Sequence, residues 1–340
     1  TKKSVDTFTM DFEGKDFNEE NYAKLVANKY NTEHHFQTLS LESALENLEE
    51  LLPLIDEPMA DSAIIPSYIL SKLARDRNIK VILGGAGGDE LFGGYQRHYP
   101  GFRDKLSGKL PSIPLHFWNF ISRITTPKIA HYGGLTWDKG VSFAQSTSGV
   151  HLGFFERLLR NPKDFSKSMT LTRNHFSSLS HYENNLGFSY ARMLLDVQNY
   201  LVDNVLAVTD KTSMAASVEA RVPFLDHHLV ELAFSVPEKI NIGRDFHDSK
   251  VSLKKAVKSN LPHEILKRPK LGFNGPVYEW INKKHPKFED RILKPRNPYI
   301  QNMFDHDSIK ETWLSDSNRL AACETFFMIY VVDMWLENHA

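Results

Sequence analysis

Over residues 5–83 the hydrophobic period of the sequence switches back and forth, and this alternation narrows the available folds more than any other feature. "VDTFTMDF" (5–12) steps between two faces with period two, as a strand does. "NEENYAKLVANKYN" (18–31) follows as a helix with acids in its first turn, where the positive end of the helix dipole favours them. "HHFQTL" (34–39) is a second strand. Ser40 can cap "LESALENLEELLPL" (41–54), whose Leu41, Leu45, Leu48 and Leu52 share one helical face. Pro66 opens "SYILSKLARDR", and "IKVIL" (79–83) is a third strand. Strands separated by helices predict an α/β fold, a parallel sheet with flanking helices, over residues 1–99. Ligands of such sheets bind beyond the carboxyl ends of the strands.

At one such end lies "GGAGGDELFGG", with six of the chain's eighteen glycines in the eleven positions from Gly84 to Gly94. Glycine costs roughly 0.5–1 kcal/mol relative to alanine wherever backbone must be ordered, so a cluster of this density calls for a cause. Exposed backbone N–H groups and missing side chains would let a phosphate approach closely. Asp89 and Glu90 suit bare phosphate poorly, and suit it better with Mg²⁺ between carboxylate and phosphate. The loop is neither GxGxxG nor a Walker loop, since no Lys-Ser/Thr follows. On these grounds a nucleotide site and a plain glycine-rich turn with solvated acids both stay open.

The rest of the chain reads as mostly helical. Residues 100–182 are aromatic and broken by Pro and Gly. "FSYARMLLDVQNYLVDNVLAVTDK" (188–211) is a long helical pattern, and Asp226 can cap a helix that closes before Pro237. The single cysteine, Cys323, sits in the apolar helical pattern "RLAACETFFMIYVVDMWLE" and reads as a packed thiol. One cysteine rules out a disulfide framework and a Cys-based zinc site. With a formal net charge of −1, nothing global points to nucleic acid or an anionic membrane. No apolar run reaches the roughly 18 residues of a membrane span, and no signal peptide opens the chain, so a cytoplasmic location is the expectation.

"LGGAGGDELFGGY" closely resembles LSGEGxDELFGGY, the signature of the glutamine-hydrolysing asparagine synthetases. Three further blocks match in the family's order: "DEPMADSAIIPSYILSKLAR", "DNVLAVTDKTSMAASVEARVPFLDHHLVELA" and "LKRPKLGFNGP". "TFTMDF" resembles the family's second sheet strand. The resemblance covers essentially the whole chain and implies the ATP pyrophosphatase (adenine nucleotide alpha hydrolase-like) fold, continued by a mostly helical half over residues 100–340. It also implies ATP and Mg²⁺ as cofactors. The implied reaction transfers AMP to a carboxylate, usually that of aspartate, and ammonia, delivered from glutamine, then displaces AMP. Carried over by motif, Met10 would meet the adenine through its backbone, with Gly84, Gly85 and Gly87 lining the nucleotide. Asp89 would hold Mg²⁺ and pyrophosphate, and Glu90 would support the loop. Lys270 matches the lysine that stabilises the adenylation transition state; apart from the resemblance it is a solvated lysine in a basic turn beside Lys267 and Arg268. Asp203, Asp210, Lys211, Glu219 and Arg221 read as ion pairs of the cleft wall.

Three departures qualify what the resemblance implies. The family's SGGxDS pyrophosphate loop and first strand, expected before "TFTMDF", have no counterpart, and neither has the N-terminal glutaminase domain. The expectation is a truncated synthetase piece, inactive alone, with a glutaminase domain upstream in the full-length protein. Third, Ala86 stands where the family places a glutamate that assists acyl-adenylate formation and ammonia attack. Alanine can neither accept a proton nor hold an ammonium, and a general base must lie within hydrogen-bond reach of its proton. Asp203 is the candidate substitute. The other readings are a different acceptor, such as a sugar uronic acid, or a nucleotide-binding module without turnover.

Overall fold

The computed structural model describes residues 4–13, 19–101, 139–148, 150, 152–268 and 272–339. Two compact units divide the chain: residues 1–56, 61–99 and 193–276 form the first, and 57–60, 100–192 and 277–340 the second. The first unit therefore gathers segments from both sides of residue 100.

In the first unit the order is β1 (Asp6–Phe12), α1 (Glu19–Tyr30), β2 (Glu33–Leu39), α2 (Leu41–Leu51), α3 (Ile64–Asp76), β3 (Val81–Leu83) and α4 (Gly88–Phe92). The alternation expected from the sequence is present, with bounds that move by up to three residues. Ser40 caps α2 by accepting from the Ser43 N–H at 3.1 Å. Leu45, Leu48 and Leu52 are fully buried, as their helical spacing predicts. α3 begins at Ile64, two residues before Pro66, because the Asp61 carboxylate already accepts the Ala63 N–H at 2.9 Å and opens the turn.

The sheet differs from the expectation. Among the described residues the strands form two separate parallel ladders, β1 with β2 and β3 with β4 (Glu219–Arg221). β3 pairs with a strand more than 130 residues away in sequence, Leu83 opposite Arg221, and the Gly84 N–H extends that ladder to the Arg221 carbonyl at 2.8 Å. A three-residue strand carries almost no period-two signal, so β4 was invisible in the sequence.

Residues 188–215 form one long helix whose middle, Asp196–Leu206, is π-helical. The second unit is helical among its described residues, including Lys139–Ser148, Pro162–His175 and the long Cys323–His339. Its core stacks Phe288 on Tyr330 with centroids 4.5 Å apart, beside the buried Trp280, Trp313 and Phe326. No described helix is long and apolar enough to cross a membrane.

Candidate functional site

The glycine cluster does sit at the carboxyl end of a parallel strand. Gly84 leaves β3, Gly87 turns with φ +91°, and α4 begins at once and ends on Gly93 at φ +70°. A Cβ on Gly87 would lie 2.4 Å from Leu225 Cδ2, so both space and backbone demand glycine there. Gly85 is different. A Cβ on it would meet nothing within 4 Å, so its backbone borders open space.

The two acids of the loop have separate environments. Glu90 is fully buried and accepts from the Tyr95 hydroxyl at 2.8 Å. Burial raises the Glu90 pKa and outweighs that hydrogen bond, and it pushes the Tyr95 phenol up as well. Asp89 is partly buried and pairs with Lys250 at 2.8 Å. Its carboxylate lies over Gly94, where a Cβ would come within 1.7 Å of Asp89 Oδ1.

Beside the loop runs the π-helical stretch, whose wider turns bring Asp196, Tyr200 and Asn204 onto one face. Asp196 is fully buried, 2.9 Å from Arg97 Nε and 2.6 Å from His98 Nε2. The Arg97 guanidinium lies in the corner formed by the perpendicular rings of Tyr95 and Tyr200, 4.0 and 4.6 Å from their centroids. Asn204 donates to Asp61 at 2.5 Å. Burial, together with the nearby Asp61 charge, pushes the Tyr200 pKa up to about 12. Burial also lowers the pKa of His98. His98 Nε2 faces Asp196, and among the described residues its buried Nδ1 has no partner. A continuous polar wall thus runs from Glu90 through Tyr95, Arg97 and Tyr200 to Asp61.

The structure brings Gly84, Gly85, Gly87, Asp89 and Glu90 together in one loop. Met10 is buried on the other ladder, in register with Gln37. Asp203 is exposed, off the π-helical face that carries Asp196, Tyr200 and Asn204. Lys270 lies outside the described residues. Of the expected wall ion pairs, Glu219–Arg221 forms at 2.8 Å, while Lys211 pairs outside its block with Asp56. Asp226 caps its helix through the His228 N–H at 3.0 Å. Cys323 is a free, partly buried thiol whose pKa burial pushes up to about 12, the opposite of an activated nucleophile.

The donor set suits a metal that arrives with its ligand better than a resident one. Asp89 is the loop's only reachable carboxylate, already neutralised by Lys250, whereas Mg²⁺ is commonly held by one or two carboxylates plus phosphate oxygens. A second group, Asp6, Glu33 and His35, has its ligand-type atoms within 4.8 Å of one another. There Arg77 Nε donates to His35 Nδ1 at 2.9 Å, so Nε2 carries the proton it gives to Asp6 at 2.8 Å. That ring has no lone pair left for a metal.

Lys250, Arg97, His98, Asp196, Tyr200 and Asn204 were not singled out from the sequence. Arg97 and His98 directly follow the glycine signature, which is a usable signal. Lys250 has none.

Residues 1–337 match the family model described as asparagine synthase. The chain is 27% identical over 342 residues to glutamine-hydrolysing asparagine synthetase 1 of Bacillus subtilis, covering 96% of this chain and 52% of that protein. Asparagine synthetase 3 of the same organism is 27% identical over 328 residues, 90% of this chain and 47% of its own. The amidase chyE of Penicillium rubens is 24% identical over 314 residues, 80% and 44% respectively. The chain spans about half the length of these curated relatives.

Proposed function

Because this chain belongs to the asparagine synthase family, we propose that it is the synthetase portion of an ATP-dependent, amide-forming ligase that converts aspartate to asparagine. The observation that carries this reading is the loop at the end of β3: open space at Gly85, a turn only glycine fits at Gly87, and Asp89, paired with Lys250, beside it. The chemistry accounts for the residue types. A carboxylate is a poor acyl donor until one of its oxygens becomes a leaving group, and transfer of AMP to it supplies that group. Charge then builds on the phosphates as pyrophosphate departs, so preorganised cations and donors lower the barrier. Mg²⁺, when bound, supplies charge neutralisation there, with Asp89 as the protein ligand.

In this reading Gly84, Gly85 and Gly87 leave room for the nucleotide, and Met10 meets the adenine with its backbone. Glu90, clamped by Tyr95, fixes the loop. Lys270 stabilises the adenylation transition state. Asp203, on the exposed side of the π-helical stretch, is the candidate base for the amide-forming step. Ammonia comes from glutamine through a glutaminase domain in the longer protein. The fold is that of the ATP pyrophosphatases, and the location is cytoplasmic.

Ala86 favours a second acceptor. A methyl group in place of a carboxylate removes a charge from the acceptor side, which suits a substrate other than aspartate, such as a sugar uronic acid.

The test is pyrophosphate release from ATP with ammonium and a panel of carboxylic acids, using protein that carries its upstream region. Release with aspartate, lost in Lys270→Ala while the fold persists, supports the first reading. Release only with another acid supports the second, and no release with any acid rejects both.

A further inference from the structure

We propose that Lys250 is a positioning residue of the nucleotide site: it holds the Asp89 carboxylate before the nucleotide binds and passes to a polyphosphate oxygen when a metal takes Asp89. This deepens the proposed function and rests on its placing of ATP at the glycine loop.

The argument begins with the backbone. Lys250 has φ +59° and ψ +39°, a left-handed conformation that strains a residue bearing a side chain. That conformation starts the short helix Val251–Ala256 and delivers Nζ to 2.8 Å from Asp89 Oδ1. Gly94 makes the room, because a Cβ there would clash with both Asp89 Oδ1 and, at 2.7 Å, Lys250 Cε.

The mount is rigid. Ser252 Oγ donates to the buried Asn241 at 2.6 Å, and Asn241 Nδ2 donates to the Leu91 carbonyl of α4 at 3.0 Å. Leu253 packs on the cluster of Leu91, Phe92 and Ala233. The segment carrying Lys250 and the helix carrying Asp89 are therefore bolted together twice besides the ion pair. Neither side chain is sealed off, with Lys250 25% and Asp89 21% exposed; Asp89 Oδ1, which faces Lys250, is itself buried, so a cation approaches the carboxylate from its other side.

A lysine so placed has two predictable effects of opposite sign. It competes with a cation for Asp89, and it attracts polyphosphate. A lysine that merely stabilised the fold would produce neither, or would weaken both together.

The experiment uses protein that carries its upstream region, with Lys250→Met, which keeps the length of the side chain at the same φ, and Lys250→Arg as the conservative control. Mn²⁺ alone is titrated by water proton relaxation, tripolyphosphate is titrated in EDTA by calorimetry, and Mg-ATP binding is measured on the wild type. In Lys250→Met, Mn²⁺ should bind severalfold tighter and metal-free tripolyphosphate roughly tenfold weaker, the scale of one lost charge-assisted contact. Lys250→Arg should stay near wild type on both, and all three proteins should share a urea midpoint. Wild type that binds Mg-ATP, with Lys250→Met unchanged or weakened toward both probes, overturns the role of Lys250 and leaves the proposed function standing. Wild type that fails to bind Mg-ATP at all overturns both.

Discussion

At the residue scale, two glycines two positions apart separate folding from function. Gly87→Ala forces a Cβ into Leu225 at φ +91° and should lower the urea unfolding free energy by about 1–3 kcal/mol. Gly85→Ala meets no atom. Its urea midpoint should be unchanged, while Mg-ATP affinity falls if the open space beside it is where the nucleotide lies. Glu90 gives a pH signature. Its folded pKa is raised above the ordinary 4.5 by burial, so the folded state binds the extra proton. The stability contributed by that proton is full below 4.5 and is lost as pH rises through the folded pKa. Glu90→Gln keeps the Tyr95 hydroxyl partnered and cannot ionise. Urea midpoints from pH 4 upward should fall in wild type relative to Glu90→Gln; parallel curves would show that Glu90 is not held protonated by its surroundings.

At the element scale, the π-helical stretch decides which side chains of the long helix face the glycine loop. Asp196, Tyr200 and Asn204 engage Arg97, His98 and Asp61, while Asp203 points elsewhere. Asp196→Asn leaves the Arg97 cation without its buried counter-charge and should cost about 3–5 kcal/mol in a urea melt. Arg97→Met combined with it should cost less than the sum of the single changes, because the two residues share one interaction. Helix caps were readable from sequence because they are local: Ser40 and Asp226 each bond a backbone N–H two or three residues on. The π-helical register was not, since it follows from pairing with residues about a hundred positions away.

At the scale of the whole molecule, each unit has its own core and its own polar fastening. In the second unit the fully buried Asp333 accepts from Arg291 at 2.8 Å and from the Asn297 N–H at 2.8 Å. In the first unit β3 is the exposed point: Leu83 is 72% accessible, and β4 is the strand's only described partner. By itself the sequence determined the alternation of strands and helices, the caps, the glycine turn and the family, because each is written in neighbours or in a short motif. Only the tertiary structure decided that β3 pairs with β4, that Asp89 is held by Lys250, and that Arg97 and His98 share Asp196. Those pairings join residues 98 to 161 positions apart, and nothing in the local chemistry of either partner specifies the other.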